Sequence, residues 1–193
     1  MNVISALRRF VREKPPAVER CELCSAPLSP RHEHLVDPAR RELKCACTAC
    51  ALLFPDGTRL LRVRPRAELL ADFQLSDTQW DALRLPIGLA FFLRTASRVT
   101  AFYPGPAGAT ESLVPLDAWE EIARLNALEL QRDVEALLVN RVGAAREHYL
   151  VSVDQCYRLV GILRRSWRGF SGGEEVWERI GQFFSELRGG ARA

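Results

Sequence analysis

The chain is 193 residues long, with 48% apolar and 26% charged residues and a formal net charge of +3. That is enough for one domain with a real core plus a small appended module, of the soluble globular class. A charge so close to balance does not by itself argue for a polyanionic partner. The longest apolar run, Leu85 to Leu93, lies between Arg84 and Arg94 and is far shorter than the ~20 residues a spanning helix needs.

Residues 2 to 13 carry Val3, Leu7, Phe10 and Val11 on one helical face, with Arg8, Arg9 and Arg12 elsewhere, and so predict a short amphipathic helix. Such a helix docks on the protein's own core, or makes peripheral contact with a membrane or a partner. The same arginines break up any secretory signal, so a cytoplasmic location is expected. Pro15 and Pro16 end the helix, making residues 1–16 a helix and joint.

The most informative stretch follows. Residues 21 to 50 hold five of the six cysteines and two of the three histidines. Cys21 and Cys24 form one C-x-x-C, Cys47 and Cys50 a second, and the separation between them suits a four-cysteine zinc site. Each pair can turn onto one ion from a tight loop, and two pairs supply the four sulfurs of a tetrahedral centre. In the cytosol such clusters bind metal more often than they form disulfides. Cys45, His32 and His34 are additional potential ligands. His32 and His34 are two residues apart, so on a strand they share a face. Zinc is the expected metal. An iron or iron–sulfur centre on the same thiolates is the alternative, although no glycine follows either knuckle, where Ser25 and Ala51 stand. Residues 17–57 are thus read as a metal-binding knuckle module.

Residues 58–188 are read as an α+β domain. Arg59 to Arg64 predicts a strand with Arg62 and Arg64 on one face; a cysteine knuckle beside such a strand resembles nucleic-acid-binding zinc ribbons, the further alternative, but no aromatic residues interleave these arginines, which argues against nucleic acid. Ser76 and Gln79 form a capping box, with Leu75 and Trp80 as a hydrophobic staple. Ile87 to Leu93 predicts a strand covered on both faces, and Val99 to Tyr103 a second. The glycine-rich stretch 103–115 lacks the lysine and spacing of a phosphate loop; it is read as a strand-to-helix connection that could line a pocket. Asp117 with Glu120 predicts a second capping box, Val134–Val139 and Tyr149–Val153 two strands, and Asp154 the cap of the next helix. Ser171 with Glu174 predicts a third box, opening a helix with Val176, Trp177, Ile180, Phe183, Phe184 and Leu187 inward. Cys156 is read as a small core residue and His148 as a satisfied structural histidine. Gly189 and Gly190 are expected to end the last helix, with 189–193 a frayed tail. The fold class expected is α+β: an N-terminal zinc-ribbon-like module followed by a mixed β-sheet flanked by helices.

Taken together, the CELC and CACTACALLF knuckles, HEHLVD, PIGLAFF, AFYPGPAGATES with LDAW, VEALLVNR and RLVGILRRSWRGFSGGEEVW resemble an uncharacterised bacterial family. The resemblance covers residues from about 20 to 187. Members of that family tend to be encoded beside the actinobacterial high-affinity nickel–iron hydrogenases. The resemblance implies a hydrogenase-linked accessory or assembly role with a protein partner, and carries over no catalytic residue. No nucleophile–base pair, paired acid or phosphate loop is visible in the sequence, so the expected function is non-enzymatic.

Overall fold

The computed structural model describes residues 18–54, 59–95, 98–105, 107–169 and 172–190. The amphipathic stretch 2–13, the Pro15-Pro16 joint and Ser171 of the third capping box lie outside the described residues.

Nine strands and five helices fall within them. Strands β1 (Glu33–Asp37), β2 (Glu42–Ala46) and β3 (Leu61–Val63) form a three-stranded sheet in the order β2-β1-β3. Between β2 and β3 lies a single turn of helix, α1 (Thr48–Ala51). The remaining strands are β4 (Ala67–Leu69), β5 (Leu89–Arg94), β6 (Val99–Gly105), β7 (Gly108–Leu113), β8 (Glu135–Asn140) and β9 (Glu147–Ser152). They make a six-stranded sheet in the order β4-β9-β8-β5-β6-β7. The helices are α2 (Asp77–Ala82), α3 (Leu116–Leu125), α4 (Val153–Ser166) and α5 (Glu174–Gly190). The class is α+β, but the sheet is not mixed: every strand pair is antiparallel. Tight hairpins join β5 to β6, β6 to β7 and β8 to β9, and a parallel pair would require a long crossover instead.

The apolar run in β5 is explained by helices on both faces. Leu89 and Phe91 point to the side where α4 and α5 contribute Cys156, Leu159, Ile180 and Phe184. Ala90 and Phe92 point to the other, where α2 and α3 bring Trp80, Trp119 and Ile122. Cross-strand neighbours keep the same parity, since Phe91 pairs with Leu138 and Leu138 with Tyr149. Cys156 is fully buried, and burial drives its thiol far above the usual range. No helix among the described residues is long and apolar enough to cross a membrane.

Several local expectations change. Residues 103–105 and 108–113 belong to a hairpin rather than a strand-to-helix connection, with Ala109 on the wall of a cleft: Tyr103 pairs with Thr110 and Gly105 with Gly108, which turns at φ 111°. Pro104 is tolerated because β5 pairs with β6 only as far as Phe102, so its missing N–H faces no partner strand. The Ser76 capping box forms in full. The Asp117 box does not, because α3 begins one residue earlier, after Pro115; Asp117 lies inside the first turn, where its charge still suits the helix dipole. Likewise Ser152, not Asp154, is the N-cap of α4. The last helix runs on through Gly190.

Candidate metal centre

The first knuckle is built by the segment before β1. The N–H of Cys21 donates to the Ala26 carbonyl at 2.8 Å and that of Ser25 to the Cys21 carbonyl at 2.8 Å, closing a tight loop around Cys24. Ser25 turns at φ 63°, the left-handed conformation for which glycine is the usual choice. The second knuckle is α1 itself. Cys47 is its N-cap, and Cys47 Sγ accepts the N–H of Cys50 at 3.5 Å. Glu22 ties the two together. Its N–H donates to the Cys45 carbonyl at 2.9 Å, and its Oε1 accepts the Cys45 N–H at 2.8 Å.

The result is that the Sγ atoms of Cys21, Cys24, Cys47 and Cys50 all lie within 4.8 Å of one another. Cys24 Sγ and Cys47 Sγ are 3.7 Å apart. Four sulfurs about 2.3 Å from one tetrahedral ion stand roughly 3.8 Å from each other, so the spacing fits such an ion. It is well beyond the ~2.05 Å of a disulfide, and all six cysteines are free thiols. The charge distribution fits too. Backbone N–H groups, that of Cys47 first and those of Leu23 and Cys24 with it, pull the Cys21 thiol down to about 6. Hydrogen bonds to the Cys24 and Cys47 thiols hold Cys50 up at about 12. One thiolate forms readily and the last resists, which is the situation a divalent cation resolves by replacing the protons.

The core beneath is small: Cys21, Leu35, Ala46, Ala51 and Leu60 are buried, two leucines being the large side chains among them, with Leu28 and Phe54 partly buried against it. Around the knuckles, apolar residues face solvent. After the second knuckle Leu52 is 64% and Leu53 73% exposed, and at the first knuckle Leu23 and Val18 are also exposed.

The other three candidates do not join this cluster. His32, His34 and Cys45 gather separately, again within 4.8 Å of one another. They lie on the opposite face of the small sheet from Leu35 and Ala46, because side chains alternate along a strand and His34 is directly opposite Cys45. What the sequence did not reveal is Asp154. It approaches His34 Nδ1 to 3.2 Å from the start of α4.

The arginine-bearing strand is largely neutralised. Arg62 makes a two-point bond to Glu33 at 2.9 and 3.1 Å, and Arg59 reaches the buried Asp37 at 3.3 Å. Neither arginine is a bare phosphate contact. His148 is buried and stacks on Phe73 at a centroid distance of 4.8 Å, but its Nε2 has no hydrogen-bond partner, so the expectation of a satisfied histidine is corrected. Its neighbours explain this: the flanking surface is aromatic, and the nearby charges are Arg141 and Arg146. A cleft of about 620 Å³ opens between the two sheets, lined by Val36, Phe91, Phe102 and Tyr157, with Arg41 and Arg98 also on its wall. Glu111 binds both of these arginines.

No curated protein and no solved structure matches the chain significantly. A family of unknown function (DUF5947) matches residues 20–191, a span that takes in both knuckles and the second donor cluster. The chain belongs to that family.

Proposed function

We propose that this protein is a non-enzymatic metal-binding accessory or assembly factor, holding structural zinc on Cys21, Cys24, Cys47 and Cys50 and presenting the knuckles to a protein partner. The observation that carries the reading is the convergence of four sulfurs from two loops at the spacing of a tetrahedral ion. The zinc supplies rigidity that a core of two leucines cannot. The exposed Leu52 and Leu53 supply apolar surface to dock. The sequence motifs resemble a family encoded beside nickel–iron hydrogenases, so a subunit of such a hydrogenase is the partner proposed.

The test is elemental analysis and an absorption spectrum of anaerobically purified protein, followed by co-purification with the hydrogenase subunits. Colourless protein with stoichiometric zinc, and retention of a subunit that a double Leu52→Asp, Leu53→Asp variant abolishes, is the expected result. Protein that holds no metal at these cysteines refutes the reading. Visible thiolate-to-iron absorption would instead favour electron transfer through an iron centre, a reading that the exposure of Cys24 supports, since it brings the site to the surface.

A further inference from the structure

We infer that His32, His34 and Cys45 form a second, separate site for a zinc-type divalent cation, with three protein ligands and a fourth position open. It lies on the face of the small sheet that packs against the rest of the chain. It does not depend on the four-cysteine reading.

The argument begins with the strand register. His34 on β1 stands directly opposite Cys45 on β2, and His32, two residues before His34 on extended chain, projects to the same side. The three donor atoms fall within 4.8 Å of one another. Two imidazoles and a thiolate are a donor set suited to zinc, and three protein ligands with one open position is the pattern of zinc sites that take a water or an exchangeable ligand.

Each imidazole is also held as a metal-binding histidine is held. His32 Nδ1 lies 3.0 Å from the Ser29 carbonyl oxygen. A carbonyl can only accept, so Nδ1 carries the proton and Nε2 keeps its lone pair. The His32 side chain is only 8% exposed, and its Nε2 is buried without a hydrogen-bond partner. A buried polar nitrogen with nothing to bind costs ~1–3 kcal/mol, and a cation in front of it removes that cost. His34 Nδ1 lies 3.2 Å from Asp154 Oδ2, the carboxylate–histidine pairing that orients a ligand imidazole and raises its basicity. Glu19 Oε2 lies 3.8 Å from His32 Nδ1 and adds negative charge nearby. The two rings meet edge to face at 4.8 Å. That contact alone accounts for aromatic packing, but not for an inward lone pair left unpaired beside a thiol.

The location gives the site a role. On the same face as His34 and Cys45, Val36 and Val63 pack against Val134 and Val153, and Asp154 follows Val153 on α4. An ion here would join the knuckle module to the helical layer through the His34–Asp154 bond. The open position would accept water or a donor atom from a bound protein.

The test is metal stoichiometry on the full chain, dialysed against zinc under reducing conditions. Wild type is expected to hold two ions. His32→Gln and Cys45→Ser are expected to hold one each, with unchanged circular dichroism. The double variant Cys24→Ser, Cys47→Ser is also expected to hold one, lost from the other site. Asp154→Asn should keep the second ion with affinity about 10–100-fold weaker, as expected when the carboxylate behind a ligand histidine is lost. A wild-type chain with one ion that His32→Gln retains overturns the inference, as does His32→Gln that still holds two. A single ion lost in His32→Gln but kept in the double variant would sink the four-cysteine reading and leave this one standing. Should His32→Gln fail to fold, cobalt titration of wild type decides. Two steps, the second with about a quarter of the thiolate charge-transfer intensity because one sulfur replaces four, support the site, as does a single step at that lower intensity; a single step at the four-sulfur intensity overturns it.

Discussion

Cys24→Ser removes one of the four sulfurs while leaving the small core intact. Cys24 is exposed, so no buried cavity is created and the effect isolates ligation. Structural zinc contributes about 10–16 kcal/mol in small knuckle peptides; shared over four thiolates, one ligand is worth roughly 3 kcal/mol. At about 1.4 kcal/mol per decade this is roughly a 100-fold loss of affinity. The variant is to be compared with wild type by competition against a chelator of known strength, and then by limited proteolysis. Cleavage is expected to move into residues 18–54, where the buried cluster beneath the knuckles holds only Cys21, Leu35, Ala46 and Ala51, with Leu60 joining from beyond. The six-stranded sheet and α4 and α5 should resist as before, because their two buried clusters share no residue with that core. Affinity within tenfold of wild type, or the same cleavage pattern in both proteins, would refute the reasoning.

Phe92 is 1% exposed and stacks on Trp119 at 5.1 Å, so Phe92→Ala should cost about 3–5 kcal/mol, read as a lower urea midpoint. Ser76→Ala removes a reciprocal cap and should cost about 1 kcal/mol in the same assay, with no change in metal content. Burial first, then Arg141 and Arg146, lower His148 from 6.5 to about 4. The unfolded chain therefore takes up the proton first as pH falls, so this histidine's contribution is intact above about 6.5 and is lost on the way down to about 4. The loss between pH 7 and pH 5 is on the order of 1–2 kcal/mol, and His148→Gln should flatten that part of the stability profile; equal slopes in both proteins would count against it.

The cysteine pairs were legible because each C-x-x-C is a local device whose geometry depends on four consecutive residues. Their convergence follows from the hairpin between them, whose four-residue turn, Pro38 to Arg41, brings His34 opposite Cys45. That same register separates the seven donors into two groups, and it could have been counted from the turn. Asp154 could not. It reaches His34 across 120 positions of sequence, and only the packing of Val36 and Val63 on Val134 and Val153 brings it there. The unbroken apolar run in β5 marked a doubly covered strand, but covered faces do not tell parallel from antiparallel; connection lengths do. The capping box at Ser76 formed because no strand or proline immediately before it fixes where the helix begins. The caps expected at Asp117 and Asp154 moved because Pro115 and the end of β9 determine where those helices begin.

All seven donors lie between residues 21 and 50, and β4, the first strand of the large sheet, begins at Ala67. A nascent chain leaving the ribosome therefore exposes all seven before β4 can meet β9, the strand it pairs with. Ion capture can precede folding of the larger part, whereas Asp154 is translated roughly a hundred residues after Cys50. The bond from His34 to Asp154 is then among the last closures, made after the donors of the knuckles have already met.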